Sequence, residues 1–221
     1  MKTIAVAAPA AESGKSLLIC RVLEAFPGRI TAVKLSDHPP DPRPARVGSP
    51  GLCSCESAGS PFHVIEDNAA LGDPGKDTGR FLAAGARRVL WCQSSKEDVP
   101  DAWSHMVRCH LERDEIVIAE GSRLLATTRP EILVLVVNPE RPRVQWKNGG
   151  VPLLARADLV LWNRHPRPSG KIDSVEEAAR ELEGMAGPIA GEGRILTGDF
   201  TQPLRSAFPK LHAMLAAEIW G

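Results

Sequence analysis

The run Ala10-Ala11-Glu12-Ser13-Gly14-Lys15-Ser16 constrains the fold more than any other stretch of this chain. It follows the apolar segment Ile4-Ala5-Val6-Ala7 and precedes Leu17-Leu18-Ile19-Cys20, an order that reads as strand, small-residue loop and helix. Gly14-Lys15-Ser16 then falls where the helix begins. Successive backbone N–H groups and the positive end of the helix dipole face one anion there. Ala11, Glu12, Ser13, Gly14, Lys15, Ser16 and Leu17 are therefore the residues expected around a nucleotide phosphate. Lys15 is placed to reach the β/γ-phosphates, and the Ser16 hydroxyl to sit on Mg²⁺. The pattern GxxxxGK[ST] is met except at its first position, where the chain has Pro9. Proline cannot take the positive φ open to glycine, so the loop must enter by another backbone path.

Short apolar runs alternate with helical patterns along the rest of the chain. The runs predict strands at about residues 3–8, 30–34, 88–92, 115–119, 131–137, 158–162 and 194–197. Helices are expected at about 15–26, 77–87, 101–112, 173–186 and 203–219. Pro27-Gly28 stops the first of them, and Asp173-Ser174-Val175-Glu176-Glu177 opens a later one with a cap and an acidic first turn. Strands separated by helices imply right-handed crossovers and ligands bound beyond the carboxyl ends of the strands. The expected fold class is α/β, a P-loop NTPase-type three-layer sandwich with a mostly parallel sheet, formed as a single domain over residues 1–221. Two stretches break the rhythm. From Asp37 to Asp73 the chain is rich in Pro, Gly, Ser and Cys and reads as an irregular insert at about 38–73; Asn138 to Pro152 is also irregular and carries Arg141, Arg143 and Lys147.

Composition narrows the functional classes. Lys+Arg and Asp+Glu both number 27, so no global charge favours DNA, RNA or an anionic membrane as partner. No apolar run approaches the ~20 residues of a membrane span. The Ala-rich start is too short for a signal peptide, and Gly14-Lys15-Ser16 takes its end for another purpose. Five cysteines without a secretory signal favour reduced thiols and a cytoplasmic location.

Three further places offer chemistry. Asp114-Glu115-Ile116-Val117-Ile118-Ala119-Glu120-Gly121 reads as a buried strand ending in an acid and a glycine. Phosphate-loop enzymes need a carboxylate at such a strand end to bind Mg²⁺ directly or through water, and Glu120 is the best candidate. Thr31-Ala32-Val33-Lys34 runs into Leu35-Ser36-Asp37-His38, so Asp37 either faces the γ-phosphate or metal, or serves only the turn. Asn163, which ends Asp158-Leu159-Val160-Leu161-Trp162, either reads the edge of a purine base or favours its own turn. Catalytic candidates are thus Lys15, Asp37 and Glu120, with Ser16, Asp37 and Glu120 on the Mg²⁺ side. Cys53-Ser54-Cys55, with His38 and His63, is a speculative Zn²⁺ site, although Cys-x-Cys is tighter than the usual spacing. Cys20, Cys92 and Cys109 read as core or helix-face residues. The Trp residues are scattered and form no stacking platform for single-stranded nucleic acid.

Asp73-Pro74-Gly75-Lys76-Asp77-Thr78 is followed by Ala84-Gly85-Ala86 and a strand at Arg88-Val89-Leu90. Together with the phosphate loop, Val33-Lys34 and Glu120-Gly121, this order resembles the MobB family of molybdopterin-guanine dinucleotide biosynthesis accessory proteins. The resemblance covers about residues 1–38 and 73–137. It implies a GTP-binding P-loop protein with slow GTPase activity, often dimeric, that assists attachment of a guanine nucleotide to the molybdenum cofactor. By position, Gly14, Lys15 and Ser16 would hold phosphate and Mg²⁺, Asp37 and Glu120 would supply the metal side, and Lys76-Asp77 would start a helix near the nucleotide. The chain departs from the family in its turn Ser36-Asp37-His38, in the insert through Cys53 and Cys55, and in Ser122-Arg123 after Glu-Gly. Two other activities fit the same parts. One is a metallochaperone-type GTPase using Cys53 and Cys55. The other is a small-molecule kinase, with Arg141 and Arg143 as a lid over the phosphates. In any of these readings ATP is possible in place of GTP.

Overall fold

The computed structural model describes residues 1–37, 60–138, 146, 150–163, 175–186 and 194–220. In chain order these form β1 (Lys2–Ala7), α1 (Lys15–Ala25), β2 (Thr31–Asp37), β3 (Phe62–Ile65), α2 (Asn68–Leu71), α3 (Asp77–Ala83), β4 (Arg88–Ser94), α4 (Val99–Cys109), β5 (Ile116–Glu120), a 3-10 turn (Ser122–Ala126), β6 (Ile132–Val137), α5 (Gly150–Arg156), β7 (Leu159–Asn163), α6 (Val175–Ala186), β8 (Ile195–Gly198), α7 (Leu204–Ala207) and α8 (Pro209–Trp220). The eight strands make a sheet in the order β3-β4-β2-β5-β1-β6-β7-β8. β2 pairs parallel with β4 and β5, and β7 parallel with β6 and β8, while β3 runs antiparallel to β4. This is an α/β fold with a mostly parallel sheet. All seven expected strands are present, within a few residues of where their apolar runs place them.

The chain divides into two compact units. The first comprises Met1–Ala5 and Phe26–Glu131. β5 is buried at all five positions, as a strand covered on both faces requires. α4 buries Val99, Ala102, Trp103 and Met106, the i, i+3, i+4, i+7 stripe of a helix facing a core. Full burial of a side chain such as Met106 contributes about 1.5–3 kcal/mol. α3 ends at Ala83, short of the expected boundary, because Gly85 adopts a φ of +92° and turns the chain out of the helix. Arg88 donates to the His110 carbonyl at 2.6 Å and to Asp114 at 3.1 Å, and Thr31 donates to the other Asp114 oxygen at 2.9 Å. This partly buried network ties the starts of β2 and β4 to the turn before β5.

The end of the segment expected to be irregular is ordered. β3 and α2 both lie within it. β3 alternates buried Phe62 and Val64 with half-buried His63 and Ile65, the pattern of a strand with one covered face. α2 is capped by Asp67, whose carboxylate accepts the Ala69 amide at 2.9 Å.

The second unit comprises Val6–Ala25 and Ile132–Gly221. β6 and β7 are buried at every position. α1 turns Leu18, Ile19, Val22 and Leu23 inward. Its Arg21 donates to the carbonyls of Phe200 at 3.0 Å and Thr201 at 3.2 Å. The Phe200 and Phe208 rings pack edge to face at 5.1 Å. The helix expected over 203–219 is two helices, α7 and α8. Pro209 has no N–H to continue α7 and pushes Phe208 out of the helical region, to φ −140°, ψ 69°. The stretch read as irregular from Asn138 passes into α5 at Gly150. Among the described residues, no helix is long and apolar enough to cross a membrane.

Candidate functional site

In the second unit the loop between β1 and α1 has the build of an anion cradle. The left-handed backbone falls on Gly14, at φ +96°, and on Glu12, at φ +53°. Pro9 thus needs no positive φ: it is buried and packs against Gly150, where an added Cβ would come within 2.9 Å of the Pro9 Cβ. Gly14 is required for a second reason, since a Cβ there would lie 2.8 Å from the Asn163 Nδ2 and 3.1 Å from the Phe200 ring. Glu12 has a side chain that disfavours its conformation by about 1 kcal/mol. Lys15 is the first residue of α1, and the bond from the Leu18 amide to the Gly14 carbonyl, 2.9 Å, opens its helical ladder. The amides of Lys15, Ser16 and Leu17 therefore lie ahead of that ladder, where a helix meets an anion.

The loop is braced by side chains. Ser13, almost wholly buried, donates its hydroxyl to the Ala10 carbonyl at 2.9 Å. Asn138, the residue after β6, donates its Nδ2 to the Glu12 carbonyl at 3.3 Å. Asn163, the last residue of β7, donates its Nδ2 to the Ser13 carbonyl at 3.4 Å. Asn163 is buried, and its Oδ1 has no hydrogen-bond partner among the described residues.

In the first unit the expected residues meet differently. Lys34 on β2 places its Nζ 2.8 Å from Asp77 at the start of α3 and 2.8 Å from Glu120 at the end of β5. The parallel register sets Lys34 directly opposite Glu120. Glu120 is buried, with 5% of its side chain exposed, and is paired there with that ammonium. Burial works to lower the Lys34 pKa, but the Glu120 charge, the hydrogen bonds to Asp77 and Glu120, and the Asp77 charge outweigh it and hold the ammonium above its ordinary range. Arg80 adds a longer contact to Asp77 at 3.7 Å.

The structure brings Lys34, Asp77 and Glu120 into one cluster and sets Asn163 against Ser13 and Gly14. β2 runs on to Asp37, past its expected end at about residue 34; the Asp37 side chain, with His38, Cys53, Cys55, Arg141, Arg143 and Lys147, lies outside the described residues. His63 sits on β3, where burial lowers its pKa. Cys20 and Cys92 are buried, consistent with core positions, and Cys109 is exposed at the end of α4. Among the described residues, no three His, Cys, Asp or Glu side chains are grouped to hold a metal ion. Asn138 was not singled out in the sequence. Its only signal is its place after the apolar run 131–137, directly ahead of the irregular stretch.

No protein-family model and no curated protein matches the chain. Among solved structures, LpxK from Aquifex aeolicus, determined in complex with ATP, is similar with a TM-score of 0.46 and 10% identity over 95% of this chain and 75% of that one. A likeness of that degree carries no argument about activity. The chain's own strand order shows an α/β fold with a mostly parallel sheet, and a loop leads from β1 into α1.

Proposed function

We propose that the loop from Pro9 to Ser16 binds the phosphates of a nucleoside triphosphate together with Mg²⁺, and that the chain turns the nucleotide over slowly as a MobB-like GTPase. The loop's own geometry carries this reading: a left-handed Gly14 leads into Lys15, the first residue of α1. From there the backbone N–H groups receive phosphate oxygens, the Lys15 ammonium meets the β/γ-phosphates, and the Ser16 hydroxyl turns toward the metal. Ser16 fits Mg²⁺, which takes few protein ligands when phosphate oxygens and water complete its shell. Bound with nucleotide, Mg²⁺ supplies charge neutralisation at the phosphate oxygens. Asp37 and Glu120 are the carboxylates assigned to the metal side, and Asn163 to the nucleotide end of the loop.

The choice of GTP rests on the MobB resemblance of residues 1–38 and 73–137. The same ground supports a role in molybdenum-cofactor guanine dinucleotide maturation, a biosynthetic enzyme of that cofactor as partner, and a homodimer. Titration calorimetry with GTP and ATP, with and without Mg²⁺, tests the reading. GTP binding that strengthens with Mg²⁺ and exceeds ATP binding is the expected result. Equal or tighter ATP binding overturns the choice of GTP, and no binding of either overturns the loop as a nucleotide site.

A further inference from the structure

We infer that Asn138 and Asn163 act as a pair of positioning residues that hold the phosphate loop in its anion-receiving shape, an inference that rests on the loop being the nucleotide site. The two amides grip consecutive loop carbonyls: Asn138 holds Glu12 at 3.3 Å and Asn163 holds Ser13 at 3.4 Å. They come from adjacent parallel strands at the same level. Val137 pairs with Trp162, and the next residue along the chain from each is an asparagine.

The grip has a chemical purpose. A loop can direct its N–H groups at an anion only if the neighbouring carbonyls turn away from it. Glu12 and Ser13 are the two carbonyls just ahead of Gly14, and each is turned toward an amide donor. Glu12 is also the one non-glycine residue with positive φ among the described residues, so its conformation needs support from outside the loop. The Ser13 carbonyl fixes which way the Asn163 amide is turned: Nδ2 faces the loop, and Oδ1 is left buried without a partner among the described residues. This gives Asn163 a role in shaping the cradle whether or not it also meets a base.

Binding of inorganic tripolyphosphate, GTP and guanosine to the wild-type chain, Asn138→Ala, Asn163→Ala and the double variant separates the alternatives. Loss of one loop-holding hydrogen bond lowers tripolyphosphate and GTP affinity together, by about five-fold per variant. The double variant falls by less than the product of the two, because the pair holds one loop, and guanosine binding does not change. GTP affinity that falls while tripolyphosphate affinity holds overturns the inference and makes Asn163 a reader of the base. Unchanged affinity in both single variants overturns it outright. A wild-type chain that binds neither phosphate ligand overturns the loop as nucleotide site, and the pair with it. Asn138 is only half-buried, so its variant carries the test if Asn163→Ala fails to fold.

Discussion

The phosphate loop and the Lys34 cluster present charge in opposite ways. The loop relies on backbone: amides at a helix start, a left-handed glycine, and carbonyls turned aside by asparagines. The cluster relies on side chains: one ammonium set 2.8 Å from each of two carboxylates, with Glu120 almost out of solvent. Backbone dipoles cannot be titrated and need no counter-ion in the empty protein. Side-chain charges must be neutralised by one another before any ligand arrives. The first region is therefore adapted to receive a charge, and the second already contains its own.

Because one ammonium serves both carboxylates, removing it has the largest effect of any single change. Lys34→Met removes the ammonium shared by Asp77 and Glu120 and costs about 3 kcal/mol, the lower part of the range for broken buried pairs because a fifth of the Lys34 side chain meets solvent. Chemical denaturation at neutral pH measures it, and a loss under about 1 kcal/mol would class the cluster with ordinary surface ion pairs. Its pH dependence has a definite sign. The folded pKa of Lys34 is raised above the ordinary 10.5, so its stabilisation is complete below that value and is lost as pH rises through the folded pKa. Melting temperature should show no Lys34 contribution to its slope from pH 6 to 9 and a decline in strongly alkaline buffer, which Lys34→Met lacks.

The loop should respond in binding while stability holds. Lys15→Ala lowers triphosphate affinity by about a hundred-fold, the scale of a lost charge-assisted contact, with an unchanged melting curve. A folded variant with wild-type affinity removes the loop from the nucleotide site. Glu120→Gln sharpens the contrast between the regions. It keeps the shape of the cluster and removes one charge, so Mg²⁺-dependent hydrolysis drops by about ten-fold while Mg²⁺-free nucleotide binding stays level. Hydrolysis and Mg²⁺ dependence that both match wild type would leave Glu120 a structural partner of Lys34 only. The smallest effect belongs to Pro9→Gly. It restores the usual spelling of the motif yet frees the unfolded chain, so stability falls by about 0.5–1 kcal/mol and nucleotide affinity does not improve. A clear gain in affinity would mean that Pro9 distorts the cradle.

The sequence made the strands and the phosphate loop readable because both are local signals. Apolar runs of strand length mark β1, β6 and β7, and a glycine-lysine-serine step after such a run marks the loop. β3 escaped notice because four residues, half of them only partly buried, carry too little pattern within a Pro- and Cys-rich stretch. The α7–α8 break was visible in Pro209 but outweighed by the apolar run around it. The site was legible as parts. Lys34, Asp77 and Glu120 each stood in a recognisable phrase, yet their meeting depends on the register of β2 against β5, which no local signal encodes. Asn138 depends in the same way on β6 lying level with β7.

The parallel pairing of β2 also bears on how the protein comes to exist. Thr31 finds its partners on β4 and β5, and its hydroxyl bonds to Asp114, 83 residues further along the chain. During synthesis β2 therefore emerges long before either neighbour, with both hydrogen-bonding edges open and the apolar side chains of Ala32 and Val33 exposed. Such long-range closure makes folding slow and leaves an aggregation-prone interval on the ribosome. Holdase chaperones that protect nascent chains should thus affect the yield of this protein more than they would that of a helical bundle of equal length.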